Sequence, residues 1–140
     1  MTYDDAEWHC DTVLDLDLDE SAAVIHIGVF LAWATARGLL SETLDNRAAA
    51  IHALEHRTTT PSGFAEQYFV AQIDPLMLSD SGNRFTDDAY ARYLEVLQEV
   101  PLVAQHATTY EVPDDWGTFD AIVPYLDRLY DEWRADGSRL

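Results

Sequence analysis

The sequence predicts a mainly α-helical fold: a compact single-domain bundle of about five helices over residues 1–140, with at most a minor β element. Three observations carry that prediction. Apolar residues recur at helical spacing, most continuously in the stripe Phe119, Ile122, Val123, Leu126, Leu129, Tyr130 and Trp133. Four segments open on cap-type residues, and breakers separate them. The chain has 140 residues, 48% of them hydrophobic, which suits one domain with a substantial core.

Taken in order, residues 12–19 read TVLDLDLD. Leu14, Leu16 and Leu18 alternate with Asp15, Asp17 and Asp19, which fits either a half-buried strand or an extended loop that docks its leucines. Asp19-Glu20-Ser21 supplies caps for a first helix running to about Arg37, stopped by Gly38. Its apolar run Ala22–Ala36 spans 15 residues, is too short for a membrane span, and reads as the central core helix. Ser41 caps a second helix to about His56, with Leu44, Ala48, Ile51 and Leu54 or Glu55 on successive turns. Thr60-Pro61 is a cap-plus-N1 pair for a third, with Phe64, Tyr68 and Ile73 inward. Turns are expected over 74–84. A fourth helix then starts at Thr86-Asp87-Asp88, carries Tyr90, Tyr93, Leu94 and Leu97, and ends before Pro101. Thr108–Val112 is short, β-branched and bounded by Pro113, as a strand would be. In the last helix Pro124 either marks the start or makes a kink.

Charge is the strongest compositional signal. There are 26 acids against eight bases, a net charge of −18, and every base is Arg. Residues 1–20 carry eight acids and no base, and a smaller run follows at Glu111, Asp114, Asp115 and Asp120. Such a field repels nucleic acid and anionic lipid and attracts basic partners. A salt-rich cytosol or a GC-rich genome also produces acidic, Lys-poor chains, but neither clusters the charge. The lone Cys10 cannot form an internal disulfide, and no basic region followed by an apolar run opens the chain, so a cytoplasmic location is expected.

Two blocks resemble a known family. Tyr3-Asp4-Asp5-Ala6-Glu7-Trp8-His9 matches Y-D-D-A-x-W-H, and His26-Ile27-Gly28-Val29-Phe30-Leu31-Ala32-Trp33 matches H-I-G-x-F-L-A-W. They are similar to small acidic bacterial proteins classed as a domain of unknown function. Segments 57–64, 78–85 and the region from Trp116 to Trp133 are similar as well. That family has a Gly- and Pro-containing segment where this chain has its Leu/Asp alternation. The resemblance implies an immunity protein, which neutralises a toxin made by the same or a neighbouring cell.

Three constellations could carry chemistry. If Asp5 and His9 sit one helical turn apart, they could share a metal with His26. The structural alternative has Trp8 plugging the core, His9 bonding a backbone carbonyl, and Asp4 or Asp5 satisfying a buried His26 near Phe30 and Trp33. The segment His52-Ala53-Leu54-Glu55-His56 fits H-x-x-E-H, a zinc-peptidase pattern, but such a site needs a third ligand on another helix and a deep cleft, and the segment sits at a helix end, where the dipole favours His. No G-x-S-x-G and no glycine-rich phosphate loop occurs. Acids around Cys10 argue against a reactive thiolate.

The reading is therefore a non-enzymatic, cytoplasmic inhibitor of a basic protein toxin domain, without cofactor or metal. Asp15, Asp17 and Asp19, with Asp114 and Asp115 flanking an exposed Trp116, are the expected partner contacts. Asp4, Asp5, Trp8, His9, His26, Phe30 and Trp33 form the structural motif. The alternatives are a metal-dependent hydrolase built on the His/Asp clusters, or an acidic housekeeping protein with no toxin partner.

Overall fold

The computed structural model describes residues 1–136. Among these, seven α-helices and one two-stranded sheet surround a single core: β1 (Asp4–Asp5), α1 (Cys10–Asp15), α2 (Ile25–Ala36), α3 (Arg47–His56), α4 (Pro61–Phe69), β2 (Gln72–Ile73), α5 (Asp80–Val96), α6 (Pro101–Ala104) and α7 (Trp116–Ala135). The fold is mainly α. The five anticipated helices are α2, α3, α4, α5 and α7, while α1 and α6 are short additions.

Helix α2 is the axis. Ile25 through Thr35 are all buried, because apolar residues occupy every side of the helix and neighbours cover each face. A 3-10 turn, Glu20–Ala23, leads into it, with Asp19 accepting from the Ser21 amide. Gly38, at φ 73°, ends it in the left-handed region. Gly28 lets α4 cross closely: a Cβ there would lie 2.0 Å from the Pro61 carbonyl oxygen. On another side, α5 and α7 close an aromatic cluster. The Phe85 ring lies 5.3 Å from Trp33, 5.1 Å from Tyr130 and 5.4 Å from Trp133. Such edge and tilted contacts add to the area these rings bury. The indole N–H of Trp33 donates to Asp127 at 2.9 Å, so the largest buried ring leaves no polar atom unsatisfied.

Several sequence expectations are corrected. Residues 12–19 are not a strand, and of their three leucines only Leu18 docks against the core. They finish α1 and turn at Asp17, φ 57°, leaving Leu14 and Leu16 in water while Val13 takes the buried position. The alternation misled because α1 buries one residue per turn and the chain reverses directly after it. Thr108–Val112 is not a strand. Thr108 and Glu111 form a reciprocal capping box around a 3-10 turn, Thr109–Glu111. Helix α3 begins at Arg47 rather than near Ser41, and Ala48 faces solvent. Ile73 belongs to β2, not to the third helix, which Val70 ends. Helix α5 starts six residues early, since Ser79 caps it through the Gly82 amide. Pro124 lies inside α7, on an exposed position.

Candidate functional site

The opening segment is held as a strand. Tyr3 N–H donates to the Ile73 carbonyl at 2.8 Å, Ala6 N–H donates to Ala71 at 3.1 Å, and Asp4 pairs in register with Ile73. Adjacent residues of a strand face opposite ways, so Asp4 and Asp5 have different roles. Asp4 points into the protein and is 3% exposed. Asp5 stays near the surface, where one oxygen caps the following 3-10 turn through the Glu7 amide and the other accepts from Gln72. That turn, Ala6–His9, buries Ala6, sends Trp8 outward and brings His9 back over Asp4. Trp8 is 60% exposed and plugs nothing, which corrects its expected core role.

Four donors surround the Asp4 carboxylate. Oδ1 accepts from His9 Nε2 at 2.7 Å and from the Asp5 amide at 2.8 Å. Oδ2 accepts from His26 Nε2 at 3.0 Å and from the Tyr90 hydroxyl at 2.5 Å. Behind them, His9 Nδ1 lies 2.6 Å from the Tyr110 hydroxyl, and Tyr93 donates to the His26 carbonyl at 2.8 Å. His9 and His26 meet edge to face, with centroids 4.6 Å apart. His9 thus bonds a carboxylate and a phenol, not the backbone carbonyl anticipated for it.

Protonation follows from these contacts. Burial alone would raise the Asp4 carboxyl. Hydrogen bonds from His26, His9 and Tyr90 outweigh it, joined by the His26 charge once acid protonates that ring, and hold the group well below the usual carboxylate range. Burial lowers His26 more than its bond to Asp4 raises it, so the ring is neutral near pH 7 and donates through Nε2–H. Burial and then the Asp4 charge raise Tyr90 and Tyr110, keeping both phenols protonated. The cluster is a buried carboxylate satisfied on both oxygens by hydrogen-bond donors. Among the described residues, Asp4, His9 and His26 are also a set able to hold a metal, with one ligand atom from each lying within 4.8 Å of the others.

The remaining predicted residues separate into two groups. Asp15 and Asp17 are exposed, and Asp19 is exposed while capping Ser21. Asp114 and Trp116 tie α7 to α4, while Asp115 serves α7 alone. Asp114 accepts from the Ser62 amide at 3.0 Å and from its hydroxyl, and Asp115 caps α7 through Thr118. Trp116 is half-buried against Phe64 and Phe119, and its indole donates to the Thr59 carbonyl, so it is not the exposed anchor expected. Phe30 and Trp33 lie in the core 5.8 Å apart. The His52 and His56 rings lie tilted with centroids 4.1 Å apart on the exposed end of α3, distinct from the Asp4 cluster.

Tyr90, Tyr93 and Tyr110 were missed as members of the site. A signal existed for the first two: tyrosines placed at i and i+3 on a buried helix face must find partners for their hydroxyls. Tyr110 carried none, since its segment was read as a strand.

Fold and site together define a small, acidic, helical protein organised around a buried Asp–His–His–Tyr cluster. The chain belongs to the family described as Domain of unknown function (DUF7832), whose model matches residues 2–112. The match covers every member of the cluster and ends before α7. No curated protein and no solved structure matches the chain. No helix among the described residues is long and apolar enough to cross a membrane.

Proposed function

We propose that this protein is an immunity-type inhibitor, working in the cytoplasm, that binds a basic toxin domain through the face formed by residues 7–20. One observation carries the reading. Trp8, Leu14 and Leu16 are 60%, 53% and 40% exposed inside a stretch holding six acids and no base. A merely solvated acidic face has no need of an exposed indole and two exposed leucines. Apolar anchors ringed by like charge are what a complementary cationic partner buries, with the acids steering its approach. Asp15, Asp17 and Asp19 keep their proposed contact role, and Trp8 takes the place given to Trp116. Asp114 is occupied in joining the segment before α7 to α4, and Asp115, exposed while capping α7, lies outside the face of residues 7–20.

A metal-dependent hydrolase is less well supported, because Asp4 and His26 are buried at 3% and 6% exposure. The test is whether a toxin reading frame lies beside this gene and whether co-expression of this protein relieves its killing; no protection ends the proposal. Protection should be lost in Trp8→Ala and in the Asp11/Asp15/Asp17→Lys triple variant, while both remain folded. Protection unchanged in both would leave the acidity a trait of the genome and end the proposal.

A further inference from the structure

We infer that Asp4, His9 and His26 form a binding site for one transition-metal dication of the zinc class. The three ligand atoms come from β1, the following 3-10 turn and α2, and they converge within 4.8 Å. Both histidines present Nε2 to the same carboxylate, at 2.7 and 3.0 Å. Two imidazoles with one carboxylate suit zinc and its borderline neighbours, whereas magnesium and calcium prefer all-oxygen shells.

The surroundings are those that fix metal ligands in place. His9 Nδ1 is held by the Tyr110 hydroxyl at 2.6 Å, and Tyr90 orients the Asp4 carboxylate. Tyr93 bonds the backbone carbonyl of His26 at 2.8 Å. The Asp4 charge has no Arg against it; its donors are two imidazoles, a phenol and an amide. On binding, a proton held on Nε2 of either ring moves to Nδ1, which frees the Nε2 lone pair for the ion. At His9 the relocated proton meets the Tyr110 oxygen, so no proton need leave that ring. Three protein ligands leave a fourth position for water or a further ligand. The metal would clasp the opening strand to the central helix and lock the turn that presents Trp8.

The experiment uses the full chain, stripped with chelator and titrated with cobalt(II) and then zinc(II). One equivalent of cobalt should bind with visible d–d absorption, and zinc should displace it. His9→Gln and Asp4→Asn should each weaken zinc binding by about tenfold or more. The His52→Ala/His56→Ala double variant controls for the exposed pair and should bind as the parent does. Should Asp4→Asn fail to fold, His9→Gln decides, since that ring lies at the edge of the cluster. No stoichiometric binding, or binding that survives His9→Gln and is lost in the double variant, overturns the inference.

Discussion

Asp4 and His26 meet across 22 residues of sequence, with the carboxylate Oδ2 3.0 Å from the imidazole Nε2 and both groups buried. That contact joins the first strand to the central helix. Asp5, one residue on, is half-buried and bonds only the Glu7 amide and the Gln72 side chain. The pair allows a controlled comparison within a single dipeptide.

Asp4→Asn should destabilise the protein by about 3 kcal/mol, because an amide presents N–H groups to donors that need an acceptor. Asp5→Asn should cost well under about 1 kcal/mol, since Asn caps a turn as well as Asp. Urea unfolding of the two variants checks this. Equal losses would mean the buried network contributes little.

Stability should fall with acid from about pH 6.5 downward. His26 has a folded pKa below its unfolded value of about 6.5, so below that pH the unfolded chain binds a proton that the native chain does not. Asp4 has a folded pKa far below its unfolded value of about 3.9, so its contribution is complete above that pH and is lost as pH falls further. Both act in the same direction. Relief of self-repulsion in a chain of net charge −18 opposes them, so the unfolding series belongs in high salt, where surface charge is screened. A flat profile between pH 7 and pH 5 would refute the His26 assignment.

Gly28→Ala should destabilise by about 3 kcal/mol, the upper end for forcing a methyl into a packed contact. The new Cβ would meet the Pro61 carbonyl at 2.0 Å, and backbone cannot rotate aside as a side chain can. A thermal shift of a degree or two would show that α2 and α4 separate easily.

Val70→Gly should stabilise the fold by about 1 kcal/mol. Val70 sits at φ 50° and is 73% exposed, so the substitution relieves left-handed strain in a β-branched residue and sacrifices no buried contact. Val70 and Ala71, at φ 55°, turn the chain from α4 into β2, the strand that holds Asp4 in place. If Val70→Gly is destabilising, that turn is held by packing rather than strained by it.

Helices were legible where one face meets the core and an end residue caps the backbone. Thr60-Pro61 and the stripe from Phe119 to Trp133 are such cases, and α4 and α7 lie there. The alternation at residues 12–19 was not, because a period of two also arises when a short helix and a turn place leucines in water. Trp8 was misread for the same reason: hydrophobicity sets the preference for burial, but the turn Ala6–His9 sets the direction.

The sequence by itself determined a mainly helical, strongly acidic single core, an axis at residues 22–36, and a short choice of partners for His26, namely Asp4 or Asp5. Those follow from local quantities: periodicity, capping and charge count. Only the tertiary structure decided that Asp4 is the partner, that Tyr90 and Tyr110 complete the cluster, and that Trp8 faces water beside the acids. These depend on strand register and on residues 86 and 101 positions apart meeting in space, which no local pattern encodes.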